Sequence, residues 1–206
     1  DTAERTRAAH RYMEQHRATY LANARAIAPN LRYWRQVWDR LAFAIVTANA
    51  EVTNSVRALH HARRVRGRGP LSFEGIPGIT PERAHYVGLL DPNDLVLALL
   101  MQPGETWHSY RMRITDTVTG LAITKASYAV CLLYPMKADV ACLDTWMLKL
   151  LKPGVSRFEH IMDEEYLVLE GHVRAFGKVH RVSTAIAQWA LWDFIRDGTP
   201  SPQRFF

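Results

Sequence analysis

The sequence predicts an all-α fold, and three observations carry that expectation. Apolar residues recur at helical spacing along nearly all of the 206 positions. No alternating apolar and polar run bounded by hairpin turns is long enough to argue for a sheet. An apolar content of 48% in a chain of this length suits one well-packed core. The expectation is therefore a single domain over 1–206, made of two helical lobes with a hairpin near 119–125.

The elements follow in order. Residues 1–28 read as a long polar helix with a thin apolar stripe. After Pro29, LRYWRQVWDRLAFAIVTANA grows steadily more apolar and should be buried by Phe43 to Val46, and EVTNSVRALHHARR follows as an amphipathic helix. RVRGRGPLSFEGIPGITPERA is the one long irregular stretch; its glycines and prolines make it a surface loop. Shorter helices are predicted at 81–90 and 91–101. Further helices at 110–118, 124–134, 144–151, 164–176 and 182–196 complete the fold.

Charge and cysteine usage narrow the function classes. The net charge is +6, largely from arginine, which favours polyanionic partners such as nucleic acid or anionic lipid. Cys131 and Cys142 lie in apolar segments and read as buried free thiols of a reducing compartment. No cysteine cluster is spaced for zinc or an iron–sulfur centre, and His60 and His61 are adjacent rather than one turn apart, so neither metal nor other cofactor is implied. No run reaches 18 apolar residues, and DTAERTRAAHRYMEQHR is charged throughout. Neither a membrane span nor a signal peptide is readable, and a cytoplasmic protein is expected.

The stretch GLAITKASYAVCLLYPMKADVACLDTWM, residues 120–147, is the most informative. Gly120 supplies a helix C-cap or tight turn, and the next helix begins within about five residues, giving a short helical hairpin. Such a turn exposes backbone N–H groups at a helix start, where the dipole suits a phosphate oxygen. Pro135 ends the apolar helix, and Asp144 falls at the N-cap position before TWMLKLL. On spacing alone Asp144 is either a cap or a functional carboxylate. Lys125 is either a solvated first-turn lysine or a functional amine.

These segments resemble the helix-hairpin-helix DNA glycosylase superfamily, nearest its 8-oxoguanine DNA glycosylase and archaeal 8-oxoguanine glycosylase branches. That superfamily has a hairpin of the form G-x-G-x-K-x-A, an apolar helix and, about twenty residues on, a catalytic aspartate in a V-x-V/L-D-x-H/W pattern; VACLDTWM resembles the last of these. The resemblance implies that Asp144 is catalytic. IVTANAEVTNSV resembles an early helix ending in S-x-Q/N, which implies that Asn49 lies near the base opposite the target. AIAQWALWDFIRD resembles the segment whose glutamine reads the flipped base and whose aromatic stacks on it, which implies those roles for Gln188 and Trp192, with Tyr128 a further base-binding candidate. Backbone contacts would come from Gly120, Ala122 and Thr124.

The hairpin departs from the pattern. The second glycine is Ala122, and alignment on Gly120 and Ala126 puts Thr124 at the lysine position. Alignment by distance to Asp144 selects Lys125 instead, nineteen residues before it. In the first register Lys125 is displaced by about 100° around the helix. GIPGITPERA at 75–84 looks superficially like a hairpin but has no lysine and no suitably spaced aspartate.

The chemistry accounts for these residue types. Cleavage of an N-glycosidic bond passes through a cationic sugar, which a carboxylate stabilises. A lysine that attacks the sugar carbon forms a Schiff base and gives AP-lyase activity, whereas without it water attacks and leaves an abasic site. The target base must first leave the duplex, helped by stacking and edge hydrogen bonds. Arg63, Arg64, Arg66 and Arg68 form a basic run that is either a solvated loop or a phosphate clamp, with Arg66 and Arg68 the candidates for backbone contact. Trp34, Trp38, Trp107 and Trp189 read as core or rim, and Trp146 as a residue at the pocket. The implied partner is double-stranded DNA containing a modified base, bound by a monomer. Two alternatives remain: a DNA base-modifying transferase that reuses the flipping pocket, and a non-catalytic DNA-binding module.

Overall fold

In a computed structural model, residues 2–47, 52–65, 79–90, 98–154 and 163–196 are described, and every regular element among them is helical. The helices are α1 (Thr2–Ile27), α2 (Trp34–Val46), α3 (Val52–Val65), α4 (Pro81–Gly88), α5 (Trp107–Thr117), α6 (Ile123–Leu133), α7 (Thr145–Leu151), α8 (Asp163–Val179) and α9 (Thr184–Arg196). The all-α expectation holds. The chain divides into two compact units, one made of Asp1–Ala28 with Val130–Phe206 and the other of Pro29–Ala129.

In the first unit, α1 buries Ala9, Tyr12, Met13, Tyr20, Ala24 and Ile27, the thin stripe that its spacing predicts, and packs against α9. The Tyr20 hydroxyl donates to Asp193 Oδ2 at 2.5 Å and pairs with the Tyr12 hydroxyl at 2.9 Å. Burial, then the Asp193 and Tyr12 contacts, push the Tyr20 phenol far above its ordinary range. Helix α9 also packs against α7 and α8. Gly177 allows the α8 end to approach it, because a Cβ there would sit 3.2 Å from both Ala187 Cβ and the Val182 carbonyl oxygen.

Residues 138–143 run through this unit without helical hydrogen bonding and are buried apart from Asp139. Backbone groups in such a place need other partners. Glu170 Oε1 accepts from the Ala141 N–H at 2.8 Å, and the Tyr166 hydroxyl donates to the Ala141 carbonyl at 2.6 Å while accepting from the Leu143 N–H at 3.3 Å. Cys131 and Cys142 are both buried and free, and the Cys131 thiol donates to the Val140 carbonyl.

In the second unit, α2 is buried from Val37 to Val46 and packs against α3 and α4. Thr80 caps α4, whose first residue is Pro81. Arg113 pairs with Glu105 and donates to the Ala98 and Leu100 carbonyls, which ties α5 to the segment before it.

Several boundaries differ from expectation. Helix α5 begins at Trp107, not at 110, because Thr106 and Ser109 form a reciprocal capping box. Helix α8 runs three residues past 176, and α9 starts at Thr184, not at 182, where Ser183 Oγ accepts from the Ile186 N–H at 3.2 Å and donates to the Pro135 carbonyl. Most of the helix predicted at 91–101 lies outside the described residues. Trp38 and Trp189 are core, and Trp34 and Trp107 are half-buried.

Candidate functional site

The buried strap 138–143 delivers Asp144 to the start of α7, where it is the N-cap with extended backbone. Its Oδ1 accepts from the Trp146 and Met147 N–H groups, each at 3.0 Å. Its Oδ2 accepts from the Trp192 indole N–H at 2.7 Å. The side chain is thus a helix cap and, at the same time, a partly exposed carboxylate whose second oxygen is held from α9. Three N–H donors fix the orientation of the carboxylate. Trp192 is half-buried, and the Arg196 guanidinium lies 4.2 Å from its ring centroid. One turn earlier on the same face of α9, Gln188 is 4% exposed and its Oε1 has no hydrogen-bond partner among the described residues. Within the first turn of α7, Trp146 is 39% exposed with Lys149 Nζ 4.1 Å from its ring centroid.

The second unit holds the hairpin. Gly120 adopts φ +90°, and a Cβ on it would meet Tyr86 Cδ2 at 2.6 Å, so backbone conformation and space both demand glycine. Ala122 is exposed and Thr124 half-buried, and Ala126 is fully buried. The first N–H groups of α6 have no helical partners, and alanine at position 122 cannot cap them through its side chain. Residues Thr115, Asp116 and Val118 to Ala122 line an open concavity of about 490 Å³. Lys125 Nζ donates to the Thr47 carbonyl at 3.2 Å, at the C-terminal end of α2, and lies 5.7 Å from the Tyr128 ring centroid. Tyr128 in turn is tilted against Phe43, with ring centroids 6.3 Å apart.

The structure therefore brings Asp144 and Trp192 into contact, and it sets Lys125 beside Tyr128. Asn49, Arg66 and Arg68 lie outside the described residues, as does the Arg63 side chain; Arg64 is exposed on α3. Sequence reasoning missed the residues that fix these groups: Tyr166 and Glu170 around the strap, and Thr47 on Lys125. Glu170 carried a signal, since an acid at the centre of an apolar helix face needs a buried partner. Among the described residues, no group of three or more His, Cys, Asp or Glu side chains is arranged to hold a metal ion. No described helix is long and apolar enough to cross a membrane.

No family model matches the sequence, and no curated protein does either. Solved structures do. The crystal structure of the 8-oxoguanine DNA glycosylase of Thermotoga maritima superposes with a TM-score of 0.71 at 15% identity, covering 98% of this chain and 100% of the other. The chain has the fold of the 8-oxoguanine DNA glycosylases. The 8-oxoguanine glycosylase/lyase of Methanocaldococcus jannaschii, solved with a 15mer DNA containing 8-oxoguanine, matches with a TM-score of 0.70 at 15% identity over 93% of this chain and 98% of that one. A second structure of the M. jannaschii 8-oxoguanine DNA glycosylase matches with a TM-score of 0.60 at 14% identity, over 92% and 98%.

Proposed function

We propose that this protein is a DNA glycosylase-like enzyme that takes a modified base out of double-stranded DNA and cleaves its N-glycosidic bond with the help of Asp144. The observation that carries the reading is the Asp144 carboxylate, fixed through both oxygens by the α7 N–H groups and the Trp192 indole, in a chain with this fold. As the bond breaks, positive charge develops on the sugar, and a carboxylate that is already oriented stabilises it without having to turn. Gln188, with a buried amide oxygen still to be satisfied, reads the base edge. Trp192, half-buried beside Asp144, stacks on the base through its indole ring. Tyr128 and Asn49 complete the base-binding set, and Gly120, Ala122, Thr124, Arg66 and Arg68 meet the DNA backbone. The protein acts as a single-domain monomer, DNA-associated in the cytoplasm.

Water is the attacking group in this reading. Gly120 and Ala126, the landmarks of the register that places Thr124 at the lysine position, each have a structural reason to be small. Lys125 donates to the Thr47 carbonyl at the carboxy-terminal end of α2, a structural contact that turns its amine toward that helix end.

The test is product analysis on a panel of modified duplexes, with 8-oxoguanine first because the matched structures belong to 8-oxoguanine glycosylases. Free base and an abasic site are expected, with no borohydride-trapped adduct and with base release preserved in Lys125→Gln. A trapped adduct lost in Lys125→Gln would make Lys125 the nucleophile and the enzyme a lyase. A retained, heavier base would mean a base-modifying transferase, and binding without any product a non-catalytic module.

A further inference from the structure

Asp144 is bonded by two tryptophans, Trp146 through its backbone and Trp192 through its indole, and each of these tryptophans carries a cation on its ring face. The Trp146 backbone N–H donates to one carboxylate oxygen and the Trp192 indole N–H to the other. Lys149 lies 4.1 Å from the Trp146 ring centroid and Arg196 4.2 Å from that of Trp192. Both cations are exposed, and neither forms an ion pair among the described residues. Lys152, three positions beyond Lys149, is paired with Glu165, and Arg174 with Asp139 and Glu170. Each of the two lies in the last turn of its helix, where the dipole welcomes a cation. That accounts for a charge in those turns. It does not account for a 39% exposed indole at position 146 or for the lack of acid partners beside a carboxylate.

Any polyanion that approaches Asp144 is repelled by it, and nearby cations offset the repulsion only if no acid has already neutralised them. An indole face holds a cation in place without cancelling its charge, and at an exposed position the contact is weak enough to exchange for a phosphate.

We propose that Lys149 and Arg196 form a two-point phosphate grip that holds the DNA strand whose nucleotide is presented to Asp144. The inference rests on the glycosylase reading above and adds to it the strand contacts of that site. On binding, each cation moves from its indole to a phosphate oxygen, which frees the two indole faces for sugar or base.

The test is the salt dependence of binding to a short fluorescein-labelled duplex carrying one tetrahydrofuran abasic-site analogue, read by anisotropy in a KCl series. Lys149→Gln and Arg196→Gln should each reduce the magnitude of the slope of log K against log[salt] by about 0.9, and the double variant by about 1.8. Lys149→Arg should restore the slope, and Lys178→Gln, at an exposed position on α8, should leave it unchanged. A steep wild-type slope that both Gln variants retain, or an equal loss in Lys178→Gln, would overturn the grip and leave Asp144 to be judged by base release. No salt-dependent binding by the wild type would overturn the glycosylase reading and the grip together. Thermal melts of the variants, all at exposed positions, check that they are folded.

Discussion

Replacing Gly120 with alanine separates two costs that the hairpin combines. The first is conformational: at φ +90° an L side chain is strained, which costs about 1–2 kcal/mol. The second is steric, because the new Cβ would lie 2.6 Å from Tyr86 Cδ2 and 3.0 Å from its Cγ. Tyr86 is not free to swing away, since its hydroxyl donates to Glu82 at 2.6 Å, so relief requires breaking that bond or shifting α4, on the scale of about 1–3 kcal/mol for overpacking. Gly104 supplies the control, with φ +84° and open space for 4 Å around the point where a Cβ would stand. Gly120→Ala should therefore cost roughly 2–5 kcal/mol and Gly104→Ala roughly 1–2 kcal/mol, read from urea unfolding midpoints at constant slope. Combining Gly120→Ala with Tyr86→Ala should recover the part of the steric cost due to the Tyr86 ring as a coupling energy, the Cβ contact at 3.2 Å remaining. If Gly120→Ala costs no more than Gly104→Ala, the close approach to Tyr86 is not what fixes glycine in the turn.

Asp144→Asn keeps an oxygen for the α7 cap, so the fold and DNA binding should survive while single-turnover base release falls at least about a thousandfold; near-normal rates would remove Asp144 from the chemistry. Trp192→Ala should weaken binding of the modified duplex by roughly 1–3 kcal/mol with little effect on plain duplex, and equal loss toward both would assign Trp192 to packing alone. Tyr20→Phe strips a hydrogen bond from the buried Asp193 carboxylate and should cost roughly 1.5–3 kcal/mol in a thermal or urea melt. Burial, reinforced by His10 at 2.8 Å and by Arg17 against the opposing pull of Glu14, holds the His180 imidazole below its ordinary value near 6.5. The unfolded chain then takes up that proton first on acidification, so this contribution is complete above pH 6.5 and is lost as pH falls through the lowered folded value. His180→Gln should flatten the acid side of the stability–pH curve, and an unchanged acid limb would exclude the imidazole as its source.

What was legible in the sequence is what rests on local periodicity and caps. The stripe of α1, the burial of α2 toward Val46, the turn at Gly120 and the cap at Asp144 each depend on residues within a turn or two of one another. The start of α5 was missed because Thr106 and Ser109 form a box with serine where Glu or Gln is the usual partner. The hydrogen bond from Trp192 to Asp144 joins positions 48 apart, and that from Tyr20 to Asp193 joins positions 173 apart. Periodicity says which face of a helix is apolar, not which residue of a distant helix it meets. Lys125 shows the same limit: its place in the first turn was readable, but the Thr47 carbonyl that receives its amine was not.

The division of the chain sets an order on its folding. The unit that holds Asp144 and Trp192 is discontinuous: α1 is synthesised well before the Asp193 that Tyr20 grips. Between the two segments lies Pro29–Ala129, a contiguous stretch with its own core. Closing an unstructured loop of that length costs on the order of 4 kcal/mol in chain entropy, and a folded insert shortens the effective loop. During synthesis α1 therefore waits for the partners it meets at the end of α8 and on α9, among them His180 and Asp193, while the intervening unit can already be assembled. The carboxylate site consequently forms only after the Pro29–Ala129 insert has been made, and cutting the chain between Asp144 and Asp193 removes both the Trp192 bond to Asp144 and the Tyr20–Asp193 bond that helps to hold α1.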